Sequence, residues 1–408
     1  MTVVAPKAQV AILCGGLGTR LGALTARMPK PLLPVGDMPF LDHLLYEVAR
    51  FGFRDILLLA HFEHEAVQRF AETSAARVAF NLNLTVCVEP ERAGTGGALH
   101  YARHLLDDIF ILMNGDTWLG LNYHTLRALR AETGAVAAMA LREVAEPDRF
   151  NVVDFDGLHI TRFRRDRVAR GTGYINGGVA ACSHAIFDYV PANGSLEEEV
   201  WPVLAEQQSL VGLPTSGFFL DIGVPEAFAA AQIDIPAQHR RGAVFFDRDG
   251  VLNVDHGHVG SVDRFEWIEG ARRAVRLVND ANYYVFVVTN QAGVAKGYYG
   301  EADVQALHAH IQAELNTVGA HVDAFRYSPY HIDGSVADYA RASDCRKPKP
   351  GMILDLMENW QVDSARSVLI GDKGSDMAAA AAAGIRGVMF TSGALDALVQ
   401  SLISNRPE

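Results

Sequence analysis

The chain has 408 residues, 49% apolar and 21% charged, a composition that excludes a disordered or fibrous protein and, at roughly 100–200 residues per domain, predicts two or three domains. Lys plus Arg number 36 against 48 Asp plus Glu, a formal charge of −12. This argues against a general nucleic-acid binder, yet a nucleotide or sugar-phosphate site needs only a few local cations.

Residues 1–7, Met-Thr-Val-Val-Ala-Pro-Lys, lack the cationic start and long apolar core of a signal peptide. The longest uncharged stretch, 171–187, carries four glycines and is no membrane span. The four cysteines (14, 87, 182, 345) form no C-x-x-C pair and read as free thiols of a reducing compartment. A cytoplasmic protein with no nucleic-acid or membrane partner is expected.

In chain order, strand-length apolar runs at Val10–Leu13, Ile56–Leu59, Leu84–Val88 and Phe110–Met113 alternate with helical stretches at Pro39–Phe51 and Glu63–Thr73. That alternation predicts an α/β domain with a mainly parallel sheet. After the first strand comes Cys14-Gly15-Gly16-Leu17-Gly18-Thr19-Arg20, where backbone N–H groups can approach phosphates and Arg20 can chelate one. Taken alone, such a loop equally suits a tight bend; it is neither a P-loop nor a G-x-G-x-x-G. Lys30 follows in a stretch stiffened by Pro29, Pro31 and Pro34. Glu89-Pro90 leads into Gly94-Thr95-Gly96-Gly97-Ala98, and Phe110–Met113 delivers Asn114-Gly115-Asp116-Thr117 at a strand end, where α/β sheets bind ligands. Asn176-Gly177-Gly178-Val179 and Phe219-Leu220-Asp221-Ile222-Gly223 complete the series.

Across about residues 8–232, these segments resemble the sugar-1-phosphate nucleotidyltransferase family in order and spacing. Gly-Thr-Gly-Gly-Ala, Asn-Gly-Asp-Thr, Asn-Gly-Gly-Val and Ser195-Leu196-Glu197 look most like its heptose-1-phosphate and mannose-1-phosphate guanylyltransferase branch. The resemblance implies attack of a sugar 1-phosphate oxygen on the α-phosphorus of GTP or another nucleoside triphosphate. It places Gly15, Gly16, Gly18, Thr19 and Arg20 on the triphosphate and Lys30 at the phosphates. Glu89 and Thr95 are expected to bind the nucleotide, with Gly94, Gly96 and Gly97 facing its base. Asn114 and Asn176 are assigned to the sugar, and Asp116 and Asp221 to Mg²⁺. Three departures stand out. Cys14 replaces a family Ala, Asn151 a family Gly, and Phe163-Arg164-Arg165 stands where relatives carry a Glu-Lys pair. Whether Arg164 or Arg165 replaces that Lys bears on sugar preference, because guanidinium and ammonium are not interchangeable.

Around 233–242 the pattern breaks into Ile-Asp-Ile-Pro-Ala-Gln-His-Arg-Arg-Gly, read as a seam. The expected division is a transferase domain at 1–235, a linker at 236–241 and a second α/β domain at 242–408. Strand-like runs resume at Ala243–Phe246, Tyr284–Val288, Ser367–Ile370 and Gly387–Phe390, and the alanine run 378–383 is helix-favouring. The first of these strands ends in Asp247-Arg248-Asp249-Gly250. Two carboxylates on a bend can act as nucleophile and as proton donor on one phosphate. Thr289-Asn290-Gln291 ends the next strand, Arg346-Lys347 precedes a helix, and Asp372 and Asp376 lie in a strand-to-helix turn.

This four-part pattern resembles the haloacid dehalogenase superfamily over about 242–391, and its wording is similar to heptose 1,7-bisphosphate phosphatases, with histidinol phosphatase the near neighbour. The resemblance makes Asp247 the nucleophile and Asp249 the general acid/base. Thr289, Asn290, Arg346 and Lys347 become phosphate ligands, with Arg346 toward the distal end of the substrate. Mg²⁺ would sit on Asp247, Asp372 and the Asp249 carbonyl, with Asp376 behind them. Relatives often bind zinc through Cys-x-His and Cys-x-Cys pairs; here those positions read Ser328-Pro329-Tyr330 and Ser343-Asp344-Cys345, so no zinc is expected. The fold expected is two doubly wound Rossmann-like α/β domains, the first glycosyltransferase-A-like. The function expected is heptose 1,7-bisphosphate dephosphorylation followed by nucleotidyl transfer. Two alternatives remain: a mannose-type guanylyltransferase fused to another sugar phosphatase, or an N-terminal half that binds ligand and regulates. The base, the anomer, channelling of the intermediate and oligomeric state stay open.

Overall fold

A computed structural model describes residues 9–16, 18–145, 147, 150–164 and 171–404. Its contacts separate two compact units between Gln238 and His239.

The first unit is built on a nine-stranded sheet. Its strands are β1 (Gln9–Leu13), β2 (Asp55–Ala60), β3 (Asn83–Val88) and β4 (Ile109–Asn114), then β6 (Ala137–Ala145), β7 (Val152–Asp156), β8 (His159–Arg164), β9 (Thr172–Ser183) and β10 (Leu210–Thr215). A separate two-stranded ladder joins β5 (Thr117–Leu119) to β11 (Phe219–Asp221). The sheet order is β3-β2-β1-β4-β9-β6-β10-β8-β7. The parallel half, β3 to β4, is the part the strand–helix alternation predicts. Beyond it β9 runs antiparallel to both β4 and β6, because the chain returns there through the β7–β8 hairpin rather than a helical crossover. Alternate residues of β1 feed different cores. Val10 and Ile12 pack on one face with Phe40, Leu44 and Ile56, and Ala11 on the other with Leu57 and Leu59. Both faces are covered, so the strands read as continuous apolar runs.

The helix Pro225–Ala237 runs through the first half of the stretch read as a seam, to residue 237. Ala231 and Ile235, one turn apart, are buried in the first unit's core, and that burial carries the helix to Pro236 in its last turn.

The second unit has a five-stranded parallel sheet, β14-β13-β12-β15-β16, from β12 (Ala243–Phe246), β13 (Tyr284–Asn290), β14 (Ala324–Ser328), β15 (Val368–Gly371) and β16 (Arg386–Met389). Val244, Phe246, Val285 and Val287 fill one face, while the Phe245 and Phe286 rings meet on the other, tilted at 46° with centroids 5.1 Å apart, with Trp360 beside them. The alanine run lies in the helix Gly374–Ala382, packed on β15 and β16, with Ala379 and Ala380 fully buried. No helix among the described residues is long and apolar enough to cross a membrane.

Candidate active sites

In the first unit, β1 and β4 are in parallel register, Leu13 opposite Asn114. The glycine loop and the Asn114–Thr117 turn therefore leave adjacent strands side by side. The β5–β11 ladder pairs Thr117 with Asp221, and the Ile222 N–H donates to the Asp116 carbonyl at 3.0 Å. Two aspartates remote in sequence thus occupy neighbouring positions. The buried Lys30 ammonium pairs with Asp116 Oδ2. Arg20, Asn114, Asp116, Asn176 and Asp221 line one cavity. Phe150, Asn151, Phe163, Glu197, Trp201 and Phe219 complete its walls.

The geometry gives several of these residues partners within the chain. Thr95, expected on the nucleotide, donates to Glu197 Oε2 at 2.9 Å and accepts from the Leu196 N–H at 2.8 Å. It positions Glu197, a cavity residue whose role spacing did not reveal. Packing is what selects glycine at 94. A Cβ on Gly94 would lie 2.3 Å from the Gly194 carbonyl oxygen, and the Gly96 N–H is already donated to that oxygen at 2.9 Å. Gly97 is equally confined, by Ala93 and Ala192. Glu89 is buried beside the glycine loop, its carboxyl pushed up by burial, with one oxygen accepting the Ala93 N–H at 3.4 Å. Gly15 faces that carboxyl, while Gly16, Thr19 and Arg20 are exposed. Arg164 is bonded to Asp154 across the hairpin, Nε to Oδ2 at 2.9 Å; Arg165, the other candidate for the missing Lys, lies outside the described residues. Cys14 is fully buried and its thiol pushed up, behaviour of a small apolar side chain.

In the second unit, β12, β13 and β15 end together. Asp247 is almost wholly buried. Lys347 Nζ lies 2.9 Å from Asp247 Oδ1 and 2.7 Å from Asp376 Oδ1, and donates to the Val288 carbonyl at 2.8 Å. Asn290 clamps the Lys347 backbone in both directions, at 3.0 and 3.1 Å. Thr289 is buried at the same strand end, and Arg346 donates to the Tyr330 carbonyl at 3.1 Å. Burial pushes the Asp247 carboxyl up to about 6, against the pull of Lys347 and with Asp376 adding to the rise. Asp372 is raised as well, chiefly by burial.

Asp247, Asp372 and Asp376 each bring an oxygen within 4.8 Å of the others. Asp372 Oδ1 is buried with no hydrogen-bond partner. A cluster of hard oxygen donors with one unsatisfied atom fits Mg²⁺. In the first unit Asp116 and Asp221 line one cavity from adjacent strand ends, carboxylates of the kind a hard cation takes. Asp376, expected behind the ligands, lies in the same group as Asp247 and Asp372, with Oδ1 2.7 Å from Lys347 Nζ and Oδ2 accepting the Lys373 N–H at 3.0 Å. The Asp249 carboxylate is instead bonded to Arg248, Asn253 and Gln291, so its expected share in the metal site rests on its backbone carbonyl. Asp255, His258, Tyr299 and Lys373 also line this cavity, with Lys373 Nζ 3.0 Å from Asp255. The 328–345 stretch is held by Tyr327 and Tyr339, which both donate to Glu301, and by Arg341 over the Tyr330 ring.

Two family descriptions match different parts of the chain. Residues 9–238 match the family described as Nucleotidyl transferase, and residues 344–407 the one described as HAD-hydrolase-like. The D-glycero-beta-D-manno-heptose-1,7-bisphosphate 7-phosphatase of Rhodopseudomonas palustris is 48% identical over 164 residues, covering 40% of this chain and 91% of the relative. The phosphatase of the same name from Escherichia coli K12 is 41% identical over 143 residues, 35% of this chain and 75% of the relative. Among solved structures, HddC from Yersinia pseudotuberculosis superposes with a TM-score of 0.50 at 28% identity, over 56% of this chain and 99% of that one.

Proposed function

Because the chain belongs to the nucleotidyl transferase family over residues 9–238 and, in its C-terminal part, to the HAD-type heptose-1,7-bisphosphate 7-phosphatases, we propose that it carries out two consecutive steps on one sugar. The C-terminal site removes the C7 phosphate of a heptose 1,7-bisphosphate. The N-terminal site then transfers a nucleotidyl group, GMP by preference, to the surviving 1-phosphate. One observation carries the order. The two sites sit on one chain, and the product of the phosphatase relatives is the kind of sugar 1-phosphate that a nucleotidyltransferase consumes.

In the first reaction an Asp247 oxygen attacks the C7 phosphorus. The bond from phosphorus to the C7 oxygen breaks, and that oxygen takes a proton from Asp249. Water then attacks the aspartyl-phosphate, yields a proton to Asp249, and frees Asp247 with inorganic phosphate. Lys347 and Thr289 hold the phosphoryl oxygens, and Asn290 fixes Lys347 through its backbone. In the second reaction an oxygen of the 1-phosphate attacks the α-phosphorus, and the bond to the β-phosphate oxygen breaks to release pyrophosphate. Arg20 and Lys30 hold the phosphates in line, and positioning supplies much of the rate. Asp116 and Asp221 in one site, and Asp247, Asp372 and the Asp249 carbonyl in the other, would hold Mg²⁺, which when bound would neutralise the charge of the phosphates.

Glu89 supports guanine. A buried carboxylate accepts from two adjacent N–H groups, which guanine offers on N1 and its exocyclic nitrogen. Uracil and thymine offer one N–H between two carbonyls, and these would face the carboxylate oxygens unfavourably.

The test is mass spectrometry on the purified chain with Mg²⁺, each anomer of heptose 1,7-bisphosphate, and each nucleoside triphosphate in separate tubes. GDP-heptose formed only with GTP, with phosphate and pyrophosphate in equal amounts, is expected. Heptose 1-phosphate accumulating without any nucleotide sugar refutes the second step, and no phosphate release refutes the substrate.

A further inference from the structure

To protonate the departing sugar oxygen, the Asp249 carboxyl must point one way. Arg248 reaches both of its oxygens, Nε to Oδ1 at 3.1 Å and Nη2 to Oδ2 at 3.0 Å, and Asn253 Nδ2 donates to Oδ1 at 3.0 Å. On the other side, Gln291 Nε2 donates to Oδ2 at 2.9 Å. Oδ2 is the acceptor in this contact, so it requires the NH₂ end of that amide and leaves Gln291 Oε1 to find a donor elsewhere.

Tyr299 provides it. Its hydroxyl donates to Gln291 Oε1 at 2.7 Å. The ring reaches that position through a slot lined by two glycines. A Cβ on Gly260 would fall 2.2 Å from the ring Cδ1, and one on Gly293 2.2 Å from Cζ. Burial pushes the phenol up to about 12, so it remains a donor at neutral pH. Gln291 itself is almost fully buried, with its backbone N–H donated to the Ser328 carbonyl at 2.8 Å.

We propose that Tyr299 is a positioning residue for the phosphatase reaction, fixing the Gln291 amide so that Asp249 is aimed at the departing oxygen. The proposal rests on the reading of Asp249 as the proton donor. A positioning role of this kind matters only when the leaving group needs a proton. It is therefore read by comparing an alkyl phosphate with an aryl phosphate whose phenoxide leaves unaided.

The experiment measures kcat and KM of the full chain with Mg²⁺ on heptose 1,7-bisphosphate and on p-nitrophenyl phosphate. Asp249→Asn is expected to lower kcat on the sugar phosphate by about 10²–10⁴-fold and much less on the aryl phosphate. Tyr299→Phe, which keeps the ring in its slot, is expected to lower kcat on the sugar phosphate about fivefold, the ratio one neutral hydrogen bond sustains, with KM and the aryl rate unchanged. Equal losses on both substrates, a change in KM alone, or no change overturns the proposal while leaving Asp249 as donor. If Asp249→Asn itself fails to separate the substrates, the donor reading falls and the proposal falls with it.

Discussion

Lys347 is the cation buried between Asp247 and Asp376, and Lys347→Met removes its charge while keeping most of its volume. The side chains of Lys347, Asp247 and Asp376 are 2%, 8% and 1% exposed. The substitution therefore leaves two buried carboxylates, with Asp372 nearby, without their counter-charge. Stripping one partner from a buried ion pair costs about 3–5 kcal/mol. At roughly 2–4 °C per kcal/mol for units of 150–250 residues, the C-terminal transition should drop by about 6–20 °C in chelator. The same three carboxylates then attract Mg²⁺ without competition from an ammonium. An ion at 100 times its dissociation constant contributes about 2.7 kcal/mol, so Mg²⁺ should recover a large part of the loss and stabilise the variant more than the parent. The assay is thermal denaturation of both proteins in chelator and in Mg²⁺, alongside nucleotidyl transfer, which should be unaffected. A variant that melts with the parent in chelator, or gains no more from Mg²⁺ than the parent does, refutes the charge-compensation argument.

Asp247→Asn should abolish phosphate release and spare nucleotidyl transfer, and Asp116→Asn should do the reverse; loss of both activities in either variant would sink the independence of the two sites. Glu89→Gln gives the base one donor and one acceptor in place of two acceptors. Competition between GTP and UTP, read by mass spectrometry, should show kcat/KM for GTP falling about 10–100-fold and preference moving toward UTP; an unaltered ratio removes Glu89 from base selection. Asp247 has a folded-state pKa raised from 3.8 to about 6, so its protonated form stabilises the fold. That contribution is complete below the unfolded value and lost as pH rises through about 6, a loss worth at most about 3 kcal/mol at 1.36 kcal/mol per unit. In chelator, the parent should therefore lose stability relative to Asp247→Asn between about pH 4 and 7. Melting curves of the pair that stay parallel across that range would contradict the assignment.

Much of this was legible from local pattern. Apolar runs of strand length separated by amphipathic stretches specify α/β layers, and a glycine loop or a pair of aspartates at a strand end marks a ligand position whatever lies around it. The strands so identified fall within or beside those observed. Local pattern failed where burial overrode it: Ile233–Ala237 reads as a seam but is helical, since Ala231 and Ile235 pack into the first core.

Family resemblance grouped Asp116 with Asp221 and Asp247 with Asp372 and Asp376, but spacing alone gives no reason why such remote residues should meet. Asp116 and Asp221 are neighbours only because β5 and β11 pair, and Asp376 joins Asp247 and Asp372 only because β12 and β15 end together over one helix. Thr95 serves Glu197, and Tyr299 serves Gln291 and through it Asp249, by contacts that no spacing encodes. Periodicity and motif are properties of consecutive residues and survive in the linear chain. Register between strands and the partner of a buried polar atom are settled by packing, because each buried donor or acceptor must be satisfied by whatever the fold brings within about 3 Å.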